Sequence, residues 1–240
     1  MLKLLFSLLK FAKLGPLVKT GGTMLISVGA YAFIFGWWYA VGFVLLIFCH
    51  EMGHFLAARQ RGLNVGAPTF IPFVGAWIEL KDLPHDVETE AYVGIAGPVV
   101  GSAAALLCYF LAVTQGSTLL MALAYAGFMI NLFNLIPLHP FDGGRITAII
   151  SPKVWLLGVP MLVGLFYISP SPMLILVAFL AAPQVLAVLR GQAEAQRPAG
   201  YFDVSPRRRV EYAAWYLGLA ALLALLSHEV HERLGHSLAA

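Results

Sequence analysis

His50, Glu51 and His54, in the run His50-Glu51-Met52-Gly53-His54, are the residues of this chain best suited to chemistry. On a helix, positions four apart share a face, so the two imidazoles can grip one metal ion. Glu51 is turned about 100° away and is placed to work on a water held by that ion. Residues 20–49 contain no Asp, Glu, Lys or Arg, and three ionisable side chains then arrive within five positions. At membrane depth each costs roughly 3 kcal/mol on insertion scales, so such groups need partners or a task. A catalytic zinc usually has three protein ligands and a water, so one ligand is still missing.

The best source of that ligand is Asn134-Leu135-Ile136-Pro137-Leu138-His139-Pro140-Phe141-Asp142-Gly143-Gly144. The helix beginning near Thr118 must end here, because Pro137 and Pro140 disrupt it. Gly143 and Gly144 allow a sharp turn, after which Asp142 can point back toward the bundle. Taken alone, Asp142 reads first as the N-cap of a helix starting near Arg145. Asn134 alone reads as an interhelical hydrogen-bonder. A five-residue His-Glu-x-x-His pattern also arises by chance, so the combination carries the weight. The chemistry it suits is metal-assisted peptide hydrolysis, with Glu51 moving the proton.

The elements that must position these groups are membrane helices. Hydrophobic residues make up 60% of the chain and charged residues 11%, against a usual charged share of about 25%. Mean hydropathy is +0.83. Candidate spans fall at about 20–35, 37–58, 93–113, 118–138, 154–168, 173–189 and 210–227, given about 20 residues per crossing. Gly36 with Trp37, Trp38 and Tyr39 supplies the turn and interfacial aromatics between the first two. The fold class is therefore an all-α polytopic membrane protein of about six or seven transmembrane helices, with one exception. Between Asn64 and Leu83, Gly66, Pro68, Pro72 and Gly75 forbid a helix, while Thr69, Phe70, Ile71, Phe73 and Val74 favour extended structure. A short hairpin dipping into the membrane and an interfacial loop both fit.

Residues 1–19 read as an amphipathic interfacial segment, with Lys3, Lys10 and Lys13 among leucines. Residues 20–150 form the membrane core with its β element at about 64–83, 151–227 add further helices, and 228–240 form an extracytoplasmic tail. With the N-terminus inside, every one of the 15 Lys and Arg residues except Arg233 falls on the cytoplasmic side, which the positive-inside rule favours. The metal would then sit on the order of 10 Å below the cytoplasmic surface. Cys49 and Cys108 read as small buried hydrophobes. His85, Asp86, Glu88 and Glu90 read as a solvated loop face, and the histidines at 228, 231 and 236 as part of a solvated tail. Nothing calls for nucleic acid, and the sequence does not fix an oligomeric state.

The two motifs together resemble the site-2 protease family of intramembrane zinc metalloproteases, over about residues 37–150. The second matches the family's Asn-x-x-Pro-x-x-Pro-x-Asp-Gly-Gly pattern, and Val93-Gly94-Ile95-Ala96-Gly97-Pro98 resembles its glycine-rich helix start. The resemblance implies one Zn2+ per chain held by His50, His54 and Asp142, Glu51 as catalytic base, and an assisting role for Asn134. It implies a membrane-re-entrant β element that guides substrate, here through Pro68, Phe70, Ile71, Phe73 and Gly75. It further implies transmembrane protein substrates, such as membrane-tethered regulators in a bacterial inner membrane, with lipids as the other partner. Many members carry a PDZ domain where this chain has only about residues 115–117, and none of the family's cystathionine-β-synthase domains fits after Arg190. Two rivals stand beside this reading: a membrane zinc protease whose third ligand is a Glu, and a non-catalytic metal-binding transporter.

Overall fold

Gly and Pro punctuate the apolar sequence, and they set where each helix stops. The computed structural model describes residues 2–78, 82–195 and 197–239, and of these the side chains outside 2–14, 16–17, 77 and 236–239. Helix α1 runs Leu2–Phe35 and breaks at Gly36, whose φ of 84° suits glycine. Helix α2, Trp37–Gln60, ends in a left-handed Gly62 with the Leu63 amide returned to the Ala58 carbonyl, a Schellman closure. The expected amphipathic face of residues 1–14 lies outside the described side chains; the backbone there continues into the first span without a break.

A two-stranded antiparallel sheet follows, β1 at Thr69–Ile71 and β2 at Gly75–Trp77, with Phe70 opposite Ala76. Helix α1 caps the outer edge of β1 with three hydroxyls. Thr20 donates to the Pro68 carbonyl at 2.6 Å, Thr23 accepts from the Phe70 amide at 3.2 Å, and Tyr31 accepts from the Phe73 amide at 3.0 Å. Irregular backbone thereby gains partners that an apolar setting would deny it.

Helices α3 (Val87–Gln115) and α4 (Thr118–Asn134) are joined by a two-residue link through Gly116 and Ser117. Asp86 caps α3 through the Thr89 amide at 2.6 Å, and Ser117 caps α4 through Leu120. Helices α2, α3 and α4 pack closely because small residues sit where they cross: a Cβ on Gly53 would lie 2.3 Å from the Ala96 carbonyl oxygen, and one on Gly127 2.7 Å from Ala105. Beyond Asn134 come a loop, the short helix α5 (Asp142–Ala148), a 3-10 stretch Pro152–Leu157 leading into α6 (Gly158–Ile168), then α7 (Pro172–Leu189) and α8 (Pro206–Ala239).

Five helical stretches are long and apolar enough to cross a membrane, and the runs 118–134 and 152–168 are shorter apolar ones. Phe33, Tyr167, Ile168 and Phe179 are among many large apolar side chains left exposed. Water would penalise such a surface, whereas lipid is its matching solvent.

Three expectations change in detail. Helix α4 stops at Asn134 rather than near residue 138, because the position before a proline disfavours helix. Helix α8 carries on through residues 228–239, so His228 and His231 sit exposed on a helix; the side chain of residue 236 lies outside those described. The acidic stretch at 85–90 is not a solvated loop. Asp86 is a helix cap and Glu90 is buried in the first turns of α3.

Glu90 is buried because the 190–205 connection folds over it. The Tyr201 hydroxyl donates to Glu90, Arg197 pairs with it at 3.4 Å, and the Val87 amide donates to the Tyr201 carbonyl at 3.0 Å. Burial, and then the neighbouring Glu90 carboxylate, push the Tyr201 phenol up, so it stays a proton donor. Tyr201→Phe should lower unfolding stability in detergent by about 1–3 kcal/mol, the worth of a hydrogen bond to a charged group. An unchanged unfolding midpoint would show that packing alone holds this connection.

Candidate metal centre

His50 and His54 point the same way from α2, one turn apart, and both are buried. Their Nε2 atoms stand 3.1 Å apart. Asp142 Oδ2 lies 3.1 Å from His50 Nε2 and 3.2 Å from His54 Nε2. Asp142 is the first residue of α5 and caps nothing; the N-cap position belongs to Phe141. Its carboxylate instead reaches 88 positions back along the chain to His54, and to His50 one turn earlier.

The remaining ring nitrogens fix which nitrogen faces the triangle. His54 Nδ1 is 2.7 Å from the Val93 carbonyl oxygen, which can only accept, so that nitrogen carries a hydrogen. His50 Nδ1 is 2.8 Å from Asn131 Oδ1. Asn131 Nδ2 donates to the Gly127 carbonyl at 2.7 Å, which turns its oxygen toward His50. In the neutral, metal-binding tautomer each ring aims an Nε2 lone pair into the same small space as a carboxylate oxygen. A cation there would meet three donor atoms at once. Ligands on a tetrahedral centre with bonds of roughly 2.0–2.1 Å stand about 3.3 Å apart, close to the observed triangle. Among the described residues, this is the one His/Asp/Glu/Cys group able to hold a metal ion.

Glycines on α3 make room for it. A Cβ on Gly97 would fall 2.2 Å from His54 Nε2, and one on Gly101 2.4 Å from Asn131 Oδ1. Gly143 plays the same part in α5, where a Cβ would meet the Leu135 and Ile136 carbonyl oxygens at 2.3 Å. The Gly143-Gly144 pair thus serves close approach within a helix rather than a turn.

Glu51 is buried beside the triangle, and among the described residues its carboxylate has no hydrogen-bond or ion-pair partner. Asn134 donates to the Ile130 carbonyl at 3.1 Å, one turn beyond the asparagine that holds His50. Asn131 went unremarked in the sequence, although it lies on the same α4 face three positions earlier. Of the hairpin residues, Phe70 is buried against the aromatic ring of Phe48, while Phe73 is exposed at the tip with φ of 63°. The backbone atoms of Pro68, Phe70 and Phe73 are occupied by α1.

Residues 38–126 match the profile of peptidase family M50. That stretch of the chain is similar to peptidase family M50. It is similar to the zinc metalloprotease MJ0392 of Methanocaldococcus jannaschii, with 35% identity over 124 residues, 48% of this chain and 36% of that protein. It is also similar to "Probable zinc metalloprotease EGY2, chloroplastic" of Arabidopsis thaliana, with 25% identity over 147 residues, 43% of this chain and 26% of that protein. The chain thus matches only about a third or a quarter of the length of these relatives. The apolar helices, together with the similarity to family M50, support an integral membrane protein.

Gly97→Ala should displace the His54 ring, and Asn131→Leu should free the His50 ring to rotate. Each should weaken zinc binding by about 10–100-fold, the usual effect of losing an outer-shell partner. Zinc content after dialysis against graded chelator would measure it, and full retention in both variants would refute the steric and tautomer arguments.

Proposed function

We propose that the protein is an intramembrane zinc metalloendopeptidase that cuts transmembrane segments of membrane-tethered regulatory proteins. The convergence of two imidazole lone pairs and a carboxylate oxygen, with an unpaired buried glutamate beside them, carries this reading. His50, His54 and Asp142 would hold the zinc. When bound, zinc supplies a Lewis acid that makes a neighbouring water acidic near pH 7 and polarises a carbonyl. Glu51, free of other partners, takes the proton of the attacking water and returns it to the leaving amine nitrogen. Asn134 uses one amide hydrogen on Ile130, and its other is available to the carbonyl oxygen of the scissile bond as charge develops there. A transporter has no use for a base next to the ligands.

The hairpin supports a route for substrate. A peptide bond in an intact helix is shielded, so the substrate must be opened before attack. An opened strand needs hydrogen-bond partners within the bilayer, and a sheet edge supplies them. Phe70 turns its amide away from β2 toward Thr23, so its partner Ala76 turns its own amide and carbonyl away from β1. With β1 capped by α1, pairing falls to the β2 edge at Ala76. The active site faces the cytoplasm in this reading, since the hairpin and the 190–205 connection lie on the side that carries the Lys and Arg residues.

Glu51→Gln should keep zinc and lose proteolysis of a single-span substrate by about 10²-fold or more. Loss of zinc in that variant would make Glu51 a ligand instead. Ala76→Pro should slow cleavage with zinc content unchanged, because proline removes the donor. Normal cleavage by Ala76→Pro would end the edge-pairing idea and leave the hydrolytic assignment standing.

A further inference from the structure

Asp142 stands on a weak platform. Helix α5 has only seven residues, too short to be stable on its own, and residues 135–141 before it contain two prolines and no helix. Yet its carboxylate meets two ring nitrogens within a 3.1–3.2 Å triangle. Such a site tolerates slack of only about 0.5 Å, so another element must hold the platform.

Two side chains of α8 grip it at both ends. Tyr216 donates its hydroxyl to the Leu135 carbonyl at 2.6 Å. Arg209 donates to the Ile149 and Ile150 carbonyls at 2.9 and 2.8 Å, and to the Phe202 carbonyl at 2.7 Å. Leu135 lies seven residues before Asp142 and Ile149 seven after it. Arg209 and Tyr216 are themselves seven apart, so they share one face of α8 about two turns from each other. The carbonyls they take have no place in a helix ladder: Leu135 follows the end of α4, and Ile149 and Ile150 end α5. A guanidinium there also opposes the negative pole of α5. Tyr212, between the two anchors, is buried in the same cluster as Phe141 and Ile149.

We propose that α8, which lies outside the region matching the M50 profile, fixes the third metal ligand, with Arg209 and Tyr216 as positioning residues for Asp142. This rests on the metal-centre reading above. The rest of α8 does different work: Leu223 and Val230 pack in the cluster built on α4.

The test uses the full chain in detergent, well below the unfolding midpoint of each variant. Zinc affinity is measured by competition with a chromophoric chelator, and ligand geometry by the visible spectrum of the cobalt-loaded protein. Arg209→Lys and Tyr216→Phe should each weaken zinc binding by about 10–100-fold and alter the cobalt spectrum. Leu223→Ala should lower the unfolding midpoint and leave both readouts as in the parent. Parent-like affinity and spectrum in Tyr216→Phe and Arg209→Lys would overturn the proposal, as would an equal loss in Leu223→Ala. If Arg209→Lys does not fold, Tyr216→Phe decides alone. His50→Ala separates the two readings. If it keeps full zinc, the metal centre itself is misassigned. If it loses zinc while both α8 variants hold theirs, only the role of α8 falls.

Discussion

Three potential metal ligands held together in a buried space are the constraint on which the remaining architecture turns. His50 Nε2, His54 Nε2 and Asp142 Oδ2 stand within 3.1–3.2 Å of one another. Left to relax, the rings would rotate and the carboxylate would seek an amide. Every neighbouring element blocks one of those escapes. Asn131 and the Val93 carbonyl lock the rings, the glycines of α3 let that helix press against them, and α5 delivers the carboxylate. A divalent cation would bind all three atoms at once.

Placing this in an apolar helical bundle creates a second demand. Every stretch of backbone that leaves the helix must find partners from the protein itself. The hairpin obtains them from hydroxyls on α1, and the 135–150 segment from α8. Each irregular segment is thus held by one helix, α1 or α8. Helices α2, α3 and α4 need no such help, because their backbones are satisfied internally and their small residues mesh.

The sequence announced the site more fully than its supports. His50, Glu51 and His54 were legible because helical spacing maps directly onto a face, and the spans because the bilayer imposes a length. Asp142 became legible only through its surrounding motif, since a lone aspartate before two glycines looks like a cap. Asn131 was hidden because its meaning depends on α4 crossing α2 at one height, which no local pattern records. Glu90 was misread as solvated because its partners, Arg197 and Tyr201, come more than 100 positions later. The hairpin was visible in its prolines and β-formers, whereas the edge left open depended on three hydroxyls scattered along α1.

The bracketing of Asp142 by α8 has a consequence for biosynthesis. Ribosomes extend a chain at roughly 5–20 residues per second, so several seconds or more separate the emergence of His54 from that of Tyr216. Through that interval the histidines are in the membrane while the segment bearing their carboxylate partner is unanchored. If α8 positions Asp142 as proposed, the three ligand atoms come into register only after α8 has inserted, so the metal centre is assembled late in synthesis.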